Sequence, residues 1–283
     1  MSADQPASQA DDLDVRVEAR VEGRVAPAPE RRRGGPPRTA TLVRKVWLND
    51  AMVRLFFTGP DVDSLPDLTF TDHYVKILFP GPVTRTYTIR WLDRDTGELV
   101  LDFVVHGDEG VAGPWAAAAE PGAVIEFRGP GGAYAPGTAY ESHLFVGDEA
   151  AIPAIAAALD QLPDHATATA FLEVADADHQ LDLAAERAEI VWVHRNSRPY
   201  GQKLAEAVRD RPIPAGKLQV FVHGNAGMVK DLRRLFFVEL RLDRADVSIS
   251  GYWRTGQNED AWQSGKHDFV AEMEAEEAAS LAG

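Results

Sequence analysis

Six consecutive residues, Arg85-Thr86-Tyr87-Thr88-Ile89-Arg90, put a cation, a flat ring and hydroxyls within four positions of an alternating run. A guanidinium fork binds a pyrophosphate, a tyrosine offers a ring face, and a threonine supplies a hydroxyl or N–H to a ring nitrogen. Those are the groups a flavin dinucleotide asks for: Arg85 for its pyrophosphate, Tyr87 for its ring, Thr88 near N5. The run equally fits the edge of an exposed sheet, where charged, aromatic and β-branched residues alternate.

Three later stretches bear on the choice. Val104-Val105-His106-Gly107 leads to Gly113-Pro114-Trp115-Ala116, a strand that passes through glycines into a helix start and offers free N–H groups to an anion. The other reading is a plain connection with Trp115 in the core. Gly147-Asp148-Glu149 follows the apolar strand Leu144-Phe145-Val146 and precedes a helix, the place where nucleotides bind in open parallel sheets. The full glycine fingerprint is absent, and Asp148 and Glu149 bring negative charge, so a dinucleotide contact there comes mainly from backbone, with the acids as helix caps. Gly251-Tyr252-Trp253-Arg254, with Gly256, Glu259, Asp260 and Trp262 beyond it, displays aromatics and a cation at a strand end, which suits a ligand wall. Trp262 fits better as packing for the last helix. No nucleophile elbow or paired histidine spacing is present.

The elements that must position these groups fall into two textures. Runs Thr41–Trp47, Val53–Thr58, Tyr74–Phe79, Thr84–Trp91, Leu99–Val105 and Val124–Arg128 alternate between turn residues and read as short strands of an antiparallel barrel or sandwich. A short helix starts near Pro114. After Tyr140 apolar strands at Leu144–Val146, Thr167–Val174, Glu189–Val193, Leu218–Val222 and Val247–Ser250 alternate with helices at Ala150–Leu159, Gln202–Arg209 and Ala226–Leu240, which implies a parallel sheet. From Glu259 the chain reads as a solvent-facing terminal helix, acidic over Glu272 to Ala279. The expected division is a disordered tail 1–37, a β domain 38–139 and an α/β domain 140–283.

Composition narrows the chemistry. The 283 residues carry a formal net charge of −15, which argues against nucleic acid. There is no cysteine, so disulfides, thiolate nucleophiles and cysteine-ligated iron–sulfur clusters are excluded and any electron carrier is a bound organic group. No apolar run is long enough to span a membrane, and the N-terminus lacks the apolar core of a secretory signal, which reads as a soluble cytoplasmic protein.

Together the four stretches, over about Thr39 to Phe269, resemble the siderophore-interacting proteins, a branch of the ferredoxin reductase-like flavoproteins. The resemblance implies a six-stranded antiparallel Greek-key FAD-binding barrel followed by a Rossmann-like parallel-sheet domain for NADPH or NADH. It implies that Arg85 holds the FAD pyrophosphate, Tyr87 stacks on the isoalloxazine and Thr88 bonds near N5, with Tyr87 and Thr88 as the catalytic pair. Strict alternation sets Thr88 on the face opposite Arg85 and Tyr87, so Thr88 acts at a bent strand end or through its N–H. Thr86, Val104, His106, Gly107, Gly113, Pro114, Trp115 and Ala116 complete the flavin site, and Gly147, Asp148 and Glu149 lie on the nicotinamide side. Lys76, in His73-Tyr74-Val75-Lys76, Arg254 and Tyr252 match the substrate pocket, although Lys76 also suits an ordinary exposed strand. The implied reaction carries electrons from NAD(P)H through flavin to a ferric siderophore, with Fe(II) released in the cytoplasm, iron as cargo, no resident metal, ferredoxin as a further candidate partner and a monomeric state. A siderophore delivery protein and a general flavin or ferredoxin-type reductase stand as alternatives. Arg195 and Arg198 are candidates for a 2′-phosphate, which leaves NADH or NADPH open.

Overall fold

A computed structural model describes residues 36–106, 110–183, 186–214 and 216–282. Gly107 and all but the last two residues of the expected tail lie outside the described residues. Six strands, β1 (Arg38–Asn49), β2 (Met52–Thr58), β3 (Tyr74–Phe79), β4 (Val83–Asp93), β5 (Glu98–Val104) and β6 (Val124–Gly131), close into an antiparallel barrel in the order β1-β2-β5-β4-β3-β6. Period-two alternation builds its interior: Val53, Leu55 and Phe57 of β2 face Leu99, Leu101 and Phe103 of β5, all fully buried. The β4–β5 turn is made by Asp93, whose carboxylate accepts from the N–H groups of Asp95 and Thr96, and by Gly97 at φ 67°. A four-residue helix, α1 (Pro60–Asp63), follows β2, and α2 (Ala112–Ala118) seals one barrel end with Ala112 and Ala116.

Five parallel strands follow, β7 (Ser142–Gly147), β8 (Thr167–Val174), β9 (Ala188–His194), β10 (Leu218–Asn225) and β11 (Val247–Trp253), in the order β11-β10-β7-β8-β9. Every residue of β7 is buried, as expected of a central strand covered on both faces. Leu144 and Val146 pack with α4 (Gln202–Arg209) and α5 (Ala226–Arg233) on one face; Phe145 packs with α3 (Ile152–Asp160) and Tyr134 on the other. The helix expected over Ala226–Leu240 widens after Arg233 into a π turn, Arg234–Glu239, in which the Leu240 N–H reaches the Leu235 carbonyl five residues back.

The last helix, α6 (Glu259–Ala282), is solvent-facing along most of its length, as expected, but buries Trp262, Met273 and Glu277. Trp262 is buried over Gly251, where an added Cβ would stand 2.8 Å from the indole. Glu277, from the acidic run, is also buried and accepts from Arg233 at 2.6 and 2.9 Å and from Arg244 at 2.5 Å. Burial alone would raise the Glu277 carboxyl, but the two guanidinium groups hold it below its ordinary value. A carboxyl so depressed stabilises the fold above its unfolded-state pKa and loses that contribution as pH falls through the folded one. Glu277→Ala therefore takes from the buried Arg233 its bidentate partner, leaving only Glu274 at 3.7 Å, and is expected to cost about 3 kcal/mol at neutral pH. Thermal melts of the two proteins should converge as pH drops below about 4.5, the ordinary value for this group.

Candidate functional site

Pairing along β4 is uneven. Its whole first half pairs with β3, Tyr74 to Phe79 opposite Thr88 to Val83, but its pairing with β5 begins only at Ile89 and is broken by a bulge before Trp91. From Val83 to Thr88 the strand thus has one open edge. In an antiparallel ladder alternate residues turn both backbone groups to one side. The Ile89 N–H goes to the His73 carbonyl at 2.7 Å on the β3 side, so Thr84, Thr86 and Thr88 turn theirs to the open edge. The Thr84 carbonyl accepts from Arg85 Nη1 at 2.8 Å, and the Thr86 N–H donates to Glu259 at 3.1 Å. The Thr88 N–H points the same way.

Side chains alternate across the same strand. Tyr87 lies on Phe103 with ring centroids 4.1 Å apart, and burial, followed by the Glu259 charge, raises its phenol well above the ordinary value. Thr86, Thr88 and Arg90 face the α/β half: the Thr86 hydroxyl donates to Glu259 at 2.6 Å, Thr88 lies beside Tyr252, and Arg90 pairs with Asp160 at 2.6 Å. Arg85 stands 3.6 Å from Asp260. Lys76 is the cross-strand neighbour of both Thr86 and Arg128 on this outer face, and it carries no ion pair among the described residues. Arg254, exposed, lies over Phe269 at 4.9 Å, five positions before Glu259. Arg128 was missed in the sequence because only strand register brings it beside Lys76.

Residues expected around the phosphates separate into two groups. Val104, His106, Gly113 and Pro114 are at least partly accessible, and an added Cβ on Gly113 would stand 3.0 Å from the Val104 carbonyl, so this turn presses close against the end of β5. Trp115 instead packs edge-on to Phe79 at 5.7 Å and against Phe103 at 5.9 Å, and Ala116 is fully buried. Both serve the barrel core, because a seven-residue helix laid over a barrel end must turn one face inward.

On the sheet, the Asp148 and Glu149 side chains have partners within the protein. The fully buried Asp148 carboxylate accepts from the Asn225 N–H at 2.7 Å, the Trp253 indole at 2.9 Å and the Ala150 N–H at 3.1 Å, tying together the ends of β7, β10 and β11. Gly224, at φ 135°, leaves space for it. Glu149 pairs with Arg195 at 2.8 Å, and Arg195 also bonds Glu173 at 3.2 Å and covers the Tyr200 ring at 3.8 Å. Arg195 is therefore committed, while Arg198 stays half exposed beside Glu206. His223, behind Tyr252, is pushed down to about 3 by burial and stays neutral.

A cavity of about 390 Å³ lies elsewhere, between α4, α5 and the far end of α6. Its lining cations are paired, Lys230 to Glu276 and both Arg209 and Arg234 to Glu239, and roughly 25 Å of helix separate Glu276 from Glu259.

Burial lifts the Asp148 carboxyl to about 7, the Glu149 charge adds to the rise, and the three donors oppose it. A carboxyl raised on folding contributes most below its unfolded value and loses that contribution as pH climbs through its folded one. Between about pH 4 and pH 7 the melting temperature of Asp148→Asn should gain on that of the wild type. Parallel profiles over that interval would show that Asp148 does not titrate there.

Comparison with known proteins agrees with this frame. Residues 140–256 match the siderophore-interacting protein family, and residues 80–134 match the siderophore-interacting FAD-binding domain. The ferric vibriobactin reductase of Vibrio cholerae is 31% identical over 261 residues, covering 83% of this chain and 96% of that protein. The NADPH-dependent ferric-chelate reductase of Escherichia coli is 31% identical over 204 residues, 71% of this chain and 78% of that one. A siderophore utilization protein from T. fusca superposes with a TM-score of 0.73 at 34% identity, over 80% of this chain and 96% of that one. A ferredoxin-NADP+ reductase from Plasmodium falciparum shares the two-part fold, with a TM-score of 0.64 at 14% identity over 76% of this chain and 96% of that one. The barrel, the parallel sheet and the sequence relationship lead to one conclusion: this chain belongs to the siderophore-interacting protein family.

Proposed function

We propose that the protein is a FAD-dependent ferric-siderophore reductase that takes electrons from NAD(P)H and releases Fe(II) in the cytoplasm. The observation that carries this reading is the open edge of β4, which brings Arg85, Tyr87 and Thr88 to a strand that lacks half its ladder. Backbone donors left over in a barrel wall suit the polar rim of a flavin, and the close Gly113 turn suits the approach of a phosphate chain. The donor set therefore fits the cofactor.

In this reading Arg85 holds the pyrophosphate together with His106 and the Gly113-Pro114 turn. Tyr87 supplies a ring face braced from behind by Phe103, and Thr88 offers its N–H at the open edge. Bound FAD supplies what no side chain here can, acceptance of a hydride and delivery of single electrons. Lys76, Arg128 and Arg254 concentrate an anionic ferric chelate that the net charge of −15 would otherwise repel. Reduction weakens the hold of hard oxygen donors on the metal, which then passes to other ligands. Among the described residues no helix is long and apolar enough to cross a membrane. The relatives named as ferric reductases support the same reading.

A second reading concerns the electron donor. Asp148 fills the space beside Gly224 and takes the N–H groups of Ala150 and Asn225, donors that a dinucleotide pyrophosphate would use. That favours weak dinucleotide binding and a reduced ferredoxin as donor.

Purified protein given micromolar FAD should turn yellow and, with NADH, NADPH or reduced ferredoxin, reduce a ferric siderophore. Colourless protein that takes up no FAD ends the reading; flavin that stays oxidised with all three donors points to a delivery protein. Lys76→Ala and Arg254→Ala should each raise KM for an anionic ferric chelate about three- to tenfold, the scale of one partly screened ion pair. Equal losses with a small neutral acceptor would favour a general flavin reductase.

A further inference from the structure

Glu259 is the first residue of α6, where an acid ordinarily serves the helix dipole. Here Asn258 already caps the helix, its Oδ1 accepting from the Ala261 N–H at 2.9 Å. The Glu259 side chain reaches a strand 173 residues earlier in the chain and takes both the N–H and the hydroxyl of Thr86. Its neighbour Asp260 approaches Arg85. Two consecutive acids thus close on two consecutive residues of β4, at the edge that β5 leaves open.

Resting on the flavin reading above, we propose that Glu259 is a positioning residue that latches the open edge of β4 and holds negative charge beside it, making the bound flavin a stronger reductant. The latch does mechanically what the missing ladder cannot: it fixes Thr86, and with it the flanking Tyr87 and Arg85, against the α/β half. The charge acts through Coulomb repulsion. At neutral pH reduced flavin carries a negative charge that oxidised flavin lacks, so a fixed anion nearby disfavours the reduced form and lowers the midpoint potential. That anion is already felt next door, since the Glu259 charge helps raise the Tyr87 phenol. A low potential suits the task, because oxygen-rich chelators stabilise Fe(III) over Fe(II) and make it hard to reduce.

The test is a dye-coupled potential titration of the FAD-loaded protein, with FAD affinity measured separately by absorbance. Glu259→Gln should shift the balance between reduced and oxidised flavin about tenfold toward reduced, a rise of about 30 mV for a two-electron couple. Glu259→Asp, which keeps the charge, should stay near the wild-type potential. Thr86→Val, which removes the hydroxyl and leaves the charge, should weaken FAD binding with little change in potential. Asp260→Asn, at an exposed position, should move the potential the same way as Glu259→Gln by a smaller amount, and it serves if Glu259→Gln does not accumulate as folded protein. An unchanged potential in a yellow Glu259→Gln protein, or in its stand-in, overturns this inference alone. A wild type that binds no FAD overturns it together with the reading it rests on.

Discussion

A closed barrel normally leaves no strand edge unsatisfied, and the site here exists because one does. β4 keeps its ladder to β3 throughout but joins β5 only from Ile89 onward, so six residues of its wall are paired on one side alone. Buried backbone donors must find partners. The Thr86 N–H is met by Glu259 and the Thr84 carbonyl by Arg85, while the Thr88 N–H faces the open edge. The contacts described along β4, from Asp260 at Arg85 to Asp160 at Arg90, follow from that interrupted ladder.

The seam also explains how an acidic protein can present a cationic surface. Most of the described arginines are paired with acids: Arg54 clamps Asp102 across β2 and β5 at 2.6 and 2.8 Å, Arg195 is enclosed by Glu149 and Glu173, and Arg233 by Glu277. Lys76 and Arg128, side by side on the barrel wall, have no such partner among the described residues. Local charge there is set by which cations remain uncommitted, whatever the overall balance.

The barrel and sheet were legible because period-two alternation and long apolar runs are local signals; Val53, Leu55 and Phe57 announce an inner face without help from the rest of the chain. Arg85, Tyr87 and Thr88 were legible for the same reason, being neighbours on one strand. What was not legible depends on long-range pairing. Glu259 looks like any acid opening a helix, Asp148 like a capping residue, and Glu277 like part of a solvated acidic run, until folding sets each beside distant donors, 33 to 173 residues away. Arg195 and Arg198 look alike in sequence, and only the burial of Glu149 and Glu173 separates the committed one from the exposed one.

The place of α6 in the chain has a consequence for how the molecule is assembled. The barrel is complete at Gly131, while the helix that closes over β4 begins at Glu259. At synthesis rates of 5–20 residues per second, the barrel emerges roughly 6 to 25 s before Glu259 does. Through that interval the gap in the wall stands unshuttered, so a flavin can be loaded into the nascent barrel first and enclosed afterwards, with the terminal helix acting as the door that shuts last.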